Sequence, residues 1–386
     1  MGFEELLVEV ENVDNYNSPT GENDFTWSFD DFGFEYRMNC YCIQQAIKEI
    51  DKHYFVYDDD NSADFEIDVD KNATIIISGM IVFHQKSKNY TLVFDHKVST
   101  ITLSTKKDVS KMKDYFENYI KFNNPLKRKN LQVYAKGGDI TIAYHPITPV
   151  KWETLIIDPA IKNQIWENTI FQMENLDLNN GLIFHGIPGS GKSLTCKSLI
   201  YEAITKGYSS CYVSSLIDFT QFGLFLRKYL SPCLVVFEDI DSYAGSREDK
   251  DNPELSNFLQ LISGLSDDEN KIIFIATTNF LKNLDDAIKS RPMRFNRKFL
   301  FDYPAPTEID AILDFFFKKS LNNELKALCY HSRFTGSHIK EIKRTCEILS
   351  LVNKKSLNDN FAEAVNQVKE SFNTKNLNPI GFGYKP

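Results

Sequence analysis

Gly186-Ile-Pro-Gly-Ser-Gly-Lys-Ser193 directly follows the apolar run Gly181-Leu-Ile-Phe-His185 and directly precedes Leu194-Thr-Cys-Lys-Ser-Leu-Ile200. That order predicts a strand, a glycine loop and a helix, the setting a phosphate-binding loop requires. Gly186, Gly189 and Gly191 allow a tight turn whose N–H groups aim inward at phosphate oxygens. Lys192 would set an ammonium on the β- and γ-phosphates, and Ser193 would offer its hydroxyl to Mg2+. The helix that follows turns its positive end toward the same anion. Ile187, Pro188, Ser190 and Leu194 complete the expected wrap. The stretch implies a nucleoside triphosphate ligand bound with Mg2+.

Working outward, near-continuous apolar runs such as Cys233-Leu-Val-Val-Phe237 and Ile272-Ile-Phe-Ile-Ala276 predict strands buried on both faces. With strands expected at Gly181–Phe184, Ser210–Ser214 and Phe299–Tyr303, the fold class is α/β. It is a parallel sheet between helices, with the ligand at the carboxyl ends of the strands. One such end carries Glu238-Asp-Ile-Asp241, roughly 45 residues after Lys192. Carboxylates opposite a phosphate loop can orient Mg2+ and its waters or activate an attacking water. Asn279 closes Ile275-Ala-Thr-Thr-Asn279, where it could hold that water or a γ-phosphate oxygen. Arg291, Arg294 and Arg297 crowd into one short segment of an arginine-poor chain. A guanidinium there suits planar, bidentate contact with a neighbouring subunit's γ-phosphate.

In this order the phosphate loop, Glu238-Asp-Ile-Asp241, Thr277-Thr-Asn279, Arg291-Pro-Met-Arg-Phe295 and Phe334-Thr-Gly-Ser-His-Ile339 resemble the AAA family of ATPases, over residues 152–350. The resemblance implies that Lys192 and Ser193 hold phosphate and Mg2+ and that Asn279 is the first sensor. It also implies that Arg291 and Arg294 act across a subunit boundary, in a ring of identical subunits, hexameric or heptameric. Gly336 and Ser337 resemble the lid contact near adenine and ribose, and Trp152–Ile165 the entry segment beside the base. The family's usual acid pair is Asp-Glu, whereas here it is Glu238-Asp239. That swapped order marks the branch containing the mitochondrial translocase of the folded Rieske protein. Glu238 then takes the metal-orienting place and Asp239 the general-base place. An exchange of roles stays open, because aspartate is one methylene shorter. Unfolding members grip their client with an aromatic–apolar–glycine triplet after the second strand. Phe222-Gly223 is the nearest imitation here, and with Phe219, Leu224 and Phe225 it predicts a core helix instead.

Upstream, residues 1–30 are acidic and rich in Asn, Asp and Ser, which predicts a frayed start. A helix over Phe34–His53 precedes β-like runs at Asp64–Val69, Ala73–Phe83, Tyr90–Phe94 and Val98–Leu103. A helix over Asp108–Phe122 and a hairpin of Leu131–Tyr134 with Ile140–Tyr144 around Gly137-Gly138 follow. Together they predict an α+β N-terminal domain over 1–150 that lacks a chemical motif and recognises a client or assembly. The nucleotide-binding core takes 151–305. After Pro306, helical patterns at Glu308–Lys319, Asn322–Cys329, Ser337–Leu351 and Phe361–Phe372 predict a helical lid and tail over 306–386.

Of the 386 residues, 42% are hydrophobic and 25% charged, ordinary for a soluble globular protein. A net charge of −9 argues against a protein that wraps nucleic acid. Seven scattered cysteines predict buried, reduced thiols. The opening Met1-Gly-Phe-Glu-Glu-Leu-Leu7 lacks the basic and apolar regions of a signal peptide and a Ser or Thr at position 6 for myristoylation. A soluble, cytoplasmic protein is expected, without the membrane helix of the Rieske-protein translocase. The favoured reading is a ring-forming ATPase that remodels or translocates a protein or assembly. A nucleic-acid-associated loader is the alternative, against which stand the acidic balance and Ser337, where loaders carry a basic sensor. A non-hydrolysing scaffold is disfavoured by the intact set of Lys192, Ser193, Glu238, Asp239, Asn279 and Arg291.

Overall fold

The computed structural model describes residues 24–28, 33–51, 54–58, 62–68, 71–86, 88–105, 108–136, 139–176, 178–215, 217–240, 258, 271–281, 295–330 and 332–372. They fall into two units: Met1–Lys127 with Lys136–Tyr144, and Arg128–Ala135 with His145–Pro386.

In the first unit, β1 (Asp24–Ser28), α1 (Gly33–Ile50), β2 (Phe55–Asp58), β3 (Ser62–Asp68) and β4 (Lys71–Ile76) come first. After them run β5 (Gly79–Gln85), β6 (Lys88–Asp95), β7 (Thr100–Ser104) and α2 (Ser110–Asn123). An antiparallel sheet runs β1-β7-β6-β5-β2, and β3 pairs with β4 apart from it. The apolar pattern predicts one β run over Ala73–Phe83, but the chain breaks after Ile76. Gly79 sits at φ +137°, a backbone open to glycine, and lets β4 turn away to join β3 while β5 joins β6. β1 lies within the stretch expected to fray, and the pattern does not predict β2. Helix α1 buries Tyr36, Met38, Ile43, Ala46 and Ile47. Its Gln44 amide donates to the Ile76 carbonyl at 2.8 Å and accepts from the Ile76 N–H at 3.1 Å, so a side chain satisfies part of the β4 edge.

The second unit takes β8 (Asn130–Lys136) as far as Ala135, and β9 (Asp139–Tyr144) returns to the first unit. A 3-10 turn (Trp152–Thr154), α3 (Pro159–Glu167), α4 (Ile170–Asn175), β10 (Asn180–Gly186), α5 (Lys192–Thr205) and β11 (Ser209–Val213) come next. Then follow α6 (Phe219–Phe225), a π-helical turn (Leu226–Leu230), β12 (Cys233–Phe237), β13 (Ile272–Thr278) and β14 (Arg297–Phe301). Within this unit the strands run β14-β10-β13-β12-β11-β8, every pair parallel. β12 and β13 are buried at every position, as strands covered on both faces must be. Register sets Val213 beside Phe237, Phe237 beside Ala276 and Ile183 beside Ala276. The carboxyl ends of four strands therefore open on one side of the sheet, where an α/β fold binds its ligand.

A boundary at residue 150 would cut this sheet. Leu131 and Val133 are both buried, and β8 meets that need by pairing with β11, Leu131 beside Cys211 and Val133 beside Val213. Residues 128–135 and 145–150 consequently group with the nucleotide core.

Helices α7 (Pro306–Phe317), α8 (Asn323–Tyr330), α9 (Gly336–Asn353) and α10 (Phe361–Phe372) pack around their own core, including Leu313, Phe317, Cys329, Ile342 and Phe361. All seven cysteines are buried, and none forms a disulfide. No helix among the described residues is long and apolar enough to cross a membrane.

Asp218 caps α6 by accepting from the Thr220 and Gln221 N–H groups. Phe219, Phe222 and Phe225, spaced on one face, are buried, whereas Leu224 is exposed. Phe222 is therefore a core ring. Phe222→Ala should cost about 3–5 kcal/mol of stability by leaving a cavity. Thermal melting checks this: an unchanged transition, with client handling lost, would make the ring a contact residue instead.

Candidate nucleotide site

The glycines of the loop answer to different constraints. Gly186 has φ +137°, and a Cβ on it would collide with the Phe301 carbonyl oxygen. The Ile187 N–H donates to that same oxygen at 3.2 Å, so the loop entrance is clamped against the end of β14. Gly189, at φ +75°, faces the start of α9. A Cβ there would lie 2.8 Å from both the Ser337 and Thr335 hydroxyl oxygens. The Ser337 hydroxyl and N–H each approach the Gly189 carbonyl at 3.4 Å, which brings Gly336 and Ser337 onto the loop. Gly191, at φ +105°, has open space where a Cβ would point and begins α5 without a side-chain cap. The first-turn N–H groups of α5 thus remain available to an anion.

Lys192 is buried, and its ammonium donates to the Gly186 and Ile187 carbonyls at 2.8 Å each. Those bonds curl the cation back over the loop it follows. Ser190 braces the same turn by donating to Ile187 O at 2.7 Å. Pro188 lies between these anchored residues, and Ser193 and Leu194 are exposed on the first turn of α5. Burial first, then the charges of Lys298 and Lys192, depresses the His185 pKa below its ordinary value. This imidazole stays neutral at pH 7 and adds no second fixed cation beside Lys192.

At the end of β12 the two carboxylates have different surroundings. Glu238 accepts a 2.6 Å hydrogen bond from the Tyr212 hydroxyl on one oxygen, Oε2. Its other oxygen, Oε1, is buried without a hydrogen-bond partner. An orphaned buried carboxylate oxygen is costly in a folded chain and fits a cation or its water shell. With the Ser193 hydroxyl it names the residues that would hold Mg2+, whose role is to neutralise charge on the phosphates. Burial, and after it the charge of Glu238, pushes the Cys196 thiol well above its usual range. The field of Glu238 therefore reaches α5 one turn beyond Lys192.

Asp239 stands at φ +47°, unusual for a residue with a side chain. Its N–H donates to the Thr277 hydroxyl at 3.0 Å, and the Asn279 amide approaches its carboxylate at 3.4 Å. The structure thus brings together Asp239 and Asn279, from strand ends that the sequence placed separately. Trp152 is buried in the same core as Leu182 and Leu199, its backbone N–H donating to the Glu202 carboxylate at 3.1 Å. Arg291, Arg294 and Asp241 lie outside the described residues. Tyr212, Thr277, Phe301 and Thr335 each lie beside a site residue; Thr277 and Thr335 stand inside the quoted motifs, whereas motif spacing did not mark Tyr212 or Phe301. Only strand register could have found Tyr212, because it sits two positions short of the acid pair on the neighbouring strand.

Residues 182–303 match the model of the ATPase family associated with various cellular activities (AAA). An outer mitochondrial transmembrane helix translocase of Xenopus tropicalis is 28% identical over 254 residues, 61% of this chain and 66% of that protein. The human ATPase family AAA domain-containing protein 2B is 33% identical over 153 residues, 35% of this chain and 10% of its own length. The mouse ATPase family AAA domain-containing protein 2 is 30% identical over 196 residues, 45% of this chain and 18% of that protein. The chain therefore spans under two thirds of each relative, and a small part of the last two. Together with the loop, acid pair and strand order, these matches show that this chain carries an ATPase domain of the AAA family.

Proposed function

We propose that this chain hydrolyses ATP with Mg2+ in a ring of its own copies and uses the cycle to remodel or translocate a protein or protein assembly. The observation that carries this reading is the set of groups at the carboxyl ends of β10, β12 and β13. They are the Lys192 ammonium over the loop, the orphan oxygen of Glu238, and Asp239 beside Asn279. In it Lys192 offsets phosphate charge, Glu238 and Ser193 hold Mg2+, Asp239 takes a proton from water, and Asn279 orients that water. Arg291 and Arg294 reach the neighbouring subunit's nucleotide, and Gly336 and Ser337 report lid position to the loop. Residues 1–127 and 136–144 choose the client, residues 128–135 and 145–305 bind nucleotide, and 306–386 form the lid and tail. A protein client is favoured by the likeness to a protein named as a translocase of transmembrane helices.

Mixing two inactive variants tests the ring. Arg291→Ala subunits keep an intact pocket, and Lys192→Ala subunits keep their arginines. An equal mixture should regain activity at about a quarter of the interfaces, those pairing an intact pocket with an intact finger. Steady-state phosphate release measures the recovery. None, in rings shown by native mass spectrometry to be mixed, points to an arginine acting within its own subunit or to none at all.

A further inference from the structure

We propose that Tyr212 is a positioning residue that presents Glu238 to the nucleotide-bound metal, a step that rests on the reading above. Tyr212 lies on β11 in register with Val236, and its phenol crosses to Oε2 of Glu238 at 2.6 Å. Holding Oε2 leaves Oε1 as the oxygen available to a cation, and that oxygen is buried without a hydrogen-bond partner. Glutamate has one more rotatable bond than the aspartate usual at this place. It needs a second anchor before one oxygen can be presented reliably, and the phenol supplies it.

The phenol is itself braced. Its ring stacks on the His145 imidazole, with centroids 5.9 Å apart and planes 11° from parallel. The His145 backbone N–H donates to Asn130 O at 2.9 Å, and the Asn130 side chain accepts from the Ser210 hydroxyl at 2.8 Å. Asn130 opens β8 and Ser210 lies on β11, so the edge pairing of those strands supports the ring from behind. The added strand β8 thereby gains a role in metal placement.

The test reads the free Mg2+ needed for half-maximal binding of mant-ATP by the full chain, with no turnover required. Tyr212→Phe keeps the ring and its stack but removes the hydroxyl, and should raise that concentration about tenfold, as for a lost bond to a charged group. In a Glu238→Gln background the same change should add nothing further, because the effect runs through that carboxylate. An unchanged Mg2+ response, or an equal rise in both backgrounds, overturns the inference. If the Phe variant does not fold, 3-fluorotyrosine at position 212 keeps the hydroxyl and supplies a fluorine resonance. That resonance should move when Mg2+ joins bound ATP, and indifference to Mg2+ would overturn the proposal equally. Absence of Mg2+-dependent binding in the unmodified chain would sink the hydrolase reading itself, a distinct result.

Discussion

Lys192→Ala should abolish ATP turnover, by at least about a hundredfold, and weaken nucleotide binding by about tenfold or more. The ammonium is the cation placed over the loop by two 2.8 Å bonds to Gly186 and Ile187 carbonyls. Removing it deletes a charge-assisted contact to phosphate in the ground state. The loss is greater in the transition state, where charge on the transferring oxygens grows. It also strips both carbonyls of a donor, so the loop loses an internal brace. Lys192→Arg would not rescue, because a planar fork cannot replace a compact ammonium in a buried position. Phosphate release and mant-ATP titration measure the two effects. Undiminished hydrolysis would remove residues 186–193 from the reaction.

Much of this site is legible in the sequence because its groups are neighbours along the chain. A glycine loop between an apolar strand and a helix can be read from spacing alone, and Gly186, Gly189 and Gly191 do occupy backbone regions that favour glycine. Apolar runs without alternation likewise predict β12 and β13 as doubly covered strands. Contacts between distant segments are another matter. Leu131–Tyr134 looks like half of a hairpin, and strand propensity does not reveal that Leu131 and Val133 are buried beside β11. Phe301 limits Gly186 from more than a hundred residues away in the chain. Tyr212 looks like one more aromatic in a strand, since its meaning depends on register with β12. The acid pair was ambiguous for the same reason. Order along the chain leaves two roles open, and the different partners of the two carboxylates support the proposed assignment of Glu238 to the metal and Asp239 to the water.

The separation can be measured. Asp239→Asn should retain ATP and Mg2+ but lose hydrolysis by about 10²–10⁴-fold, the range for removing a general base. The substitution keeps volume, and an amide oxygen can still face Asn279, so the geometry around Thr277 and Asn279 should survive. What it removes is the capacity to take a proton from water. Glu238→Gln should act differently. Its amide oxygen can keep the Tyr212 bond, but the buried second position becomes a donor where an unpartnered anion's oxygen stood. The Mg2+ requirement should rise steeply, and nucleotide should be held poorly at physiological Mg2+. Slow release of pre-bound mant-ATP from the Asp239 variant, beside a shifted Mg2+ titration in the Glu238 variant, is the expected pair of results. The opposite pattern, ATP trapped by Glu238→Gln with Asp239→Asn still active, would exchange the two roles. It would also mean that the longer side chain reaches the water while Tyr212 steadies a base rather than a metal-orienting carboxylate.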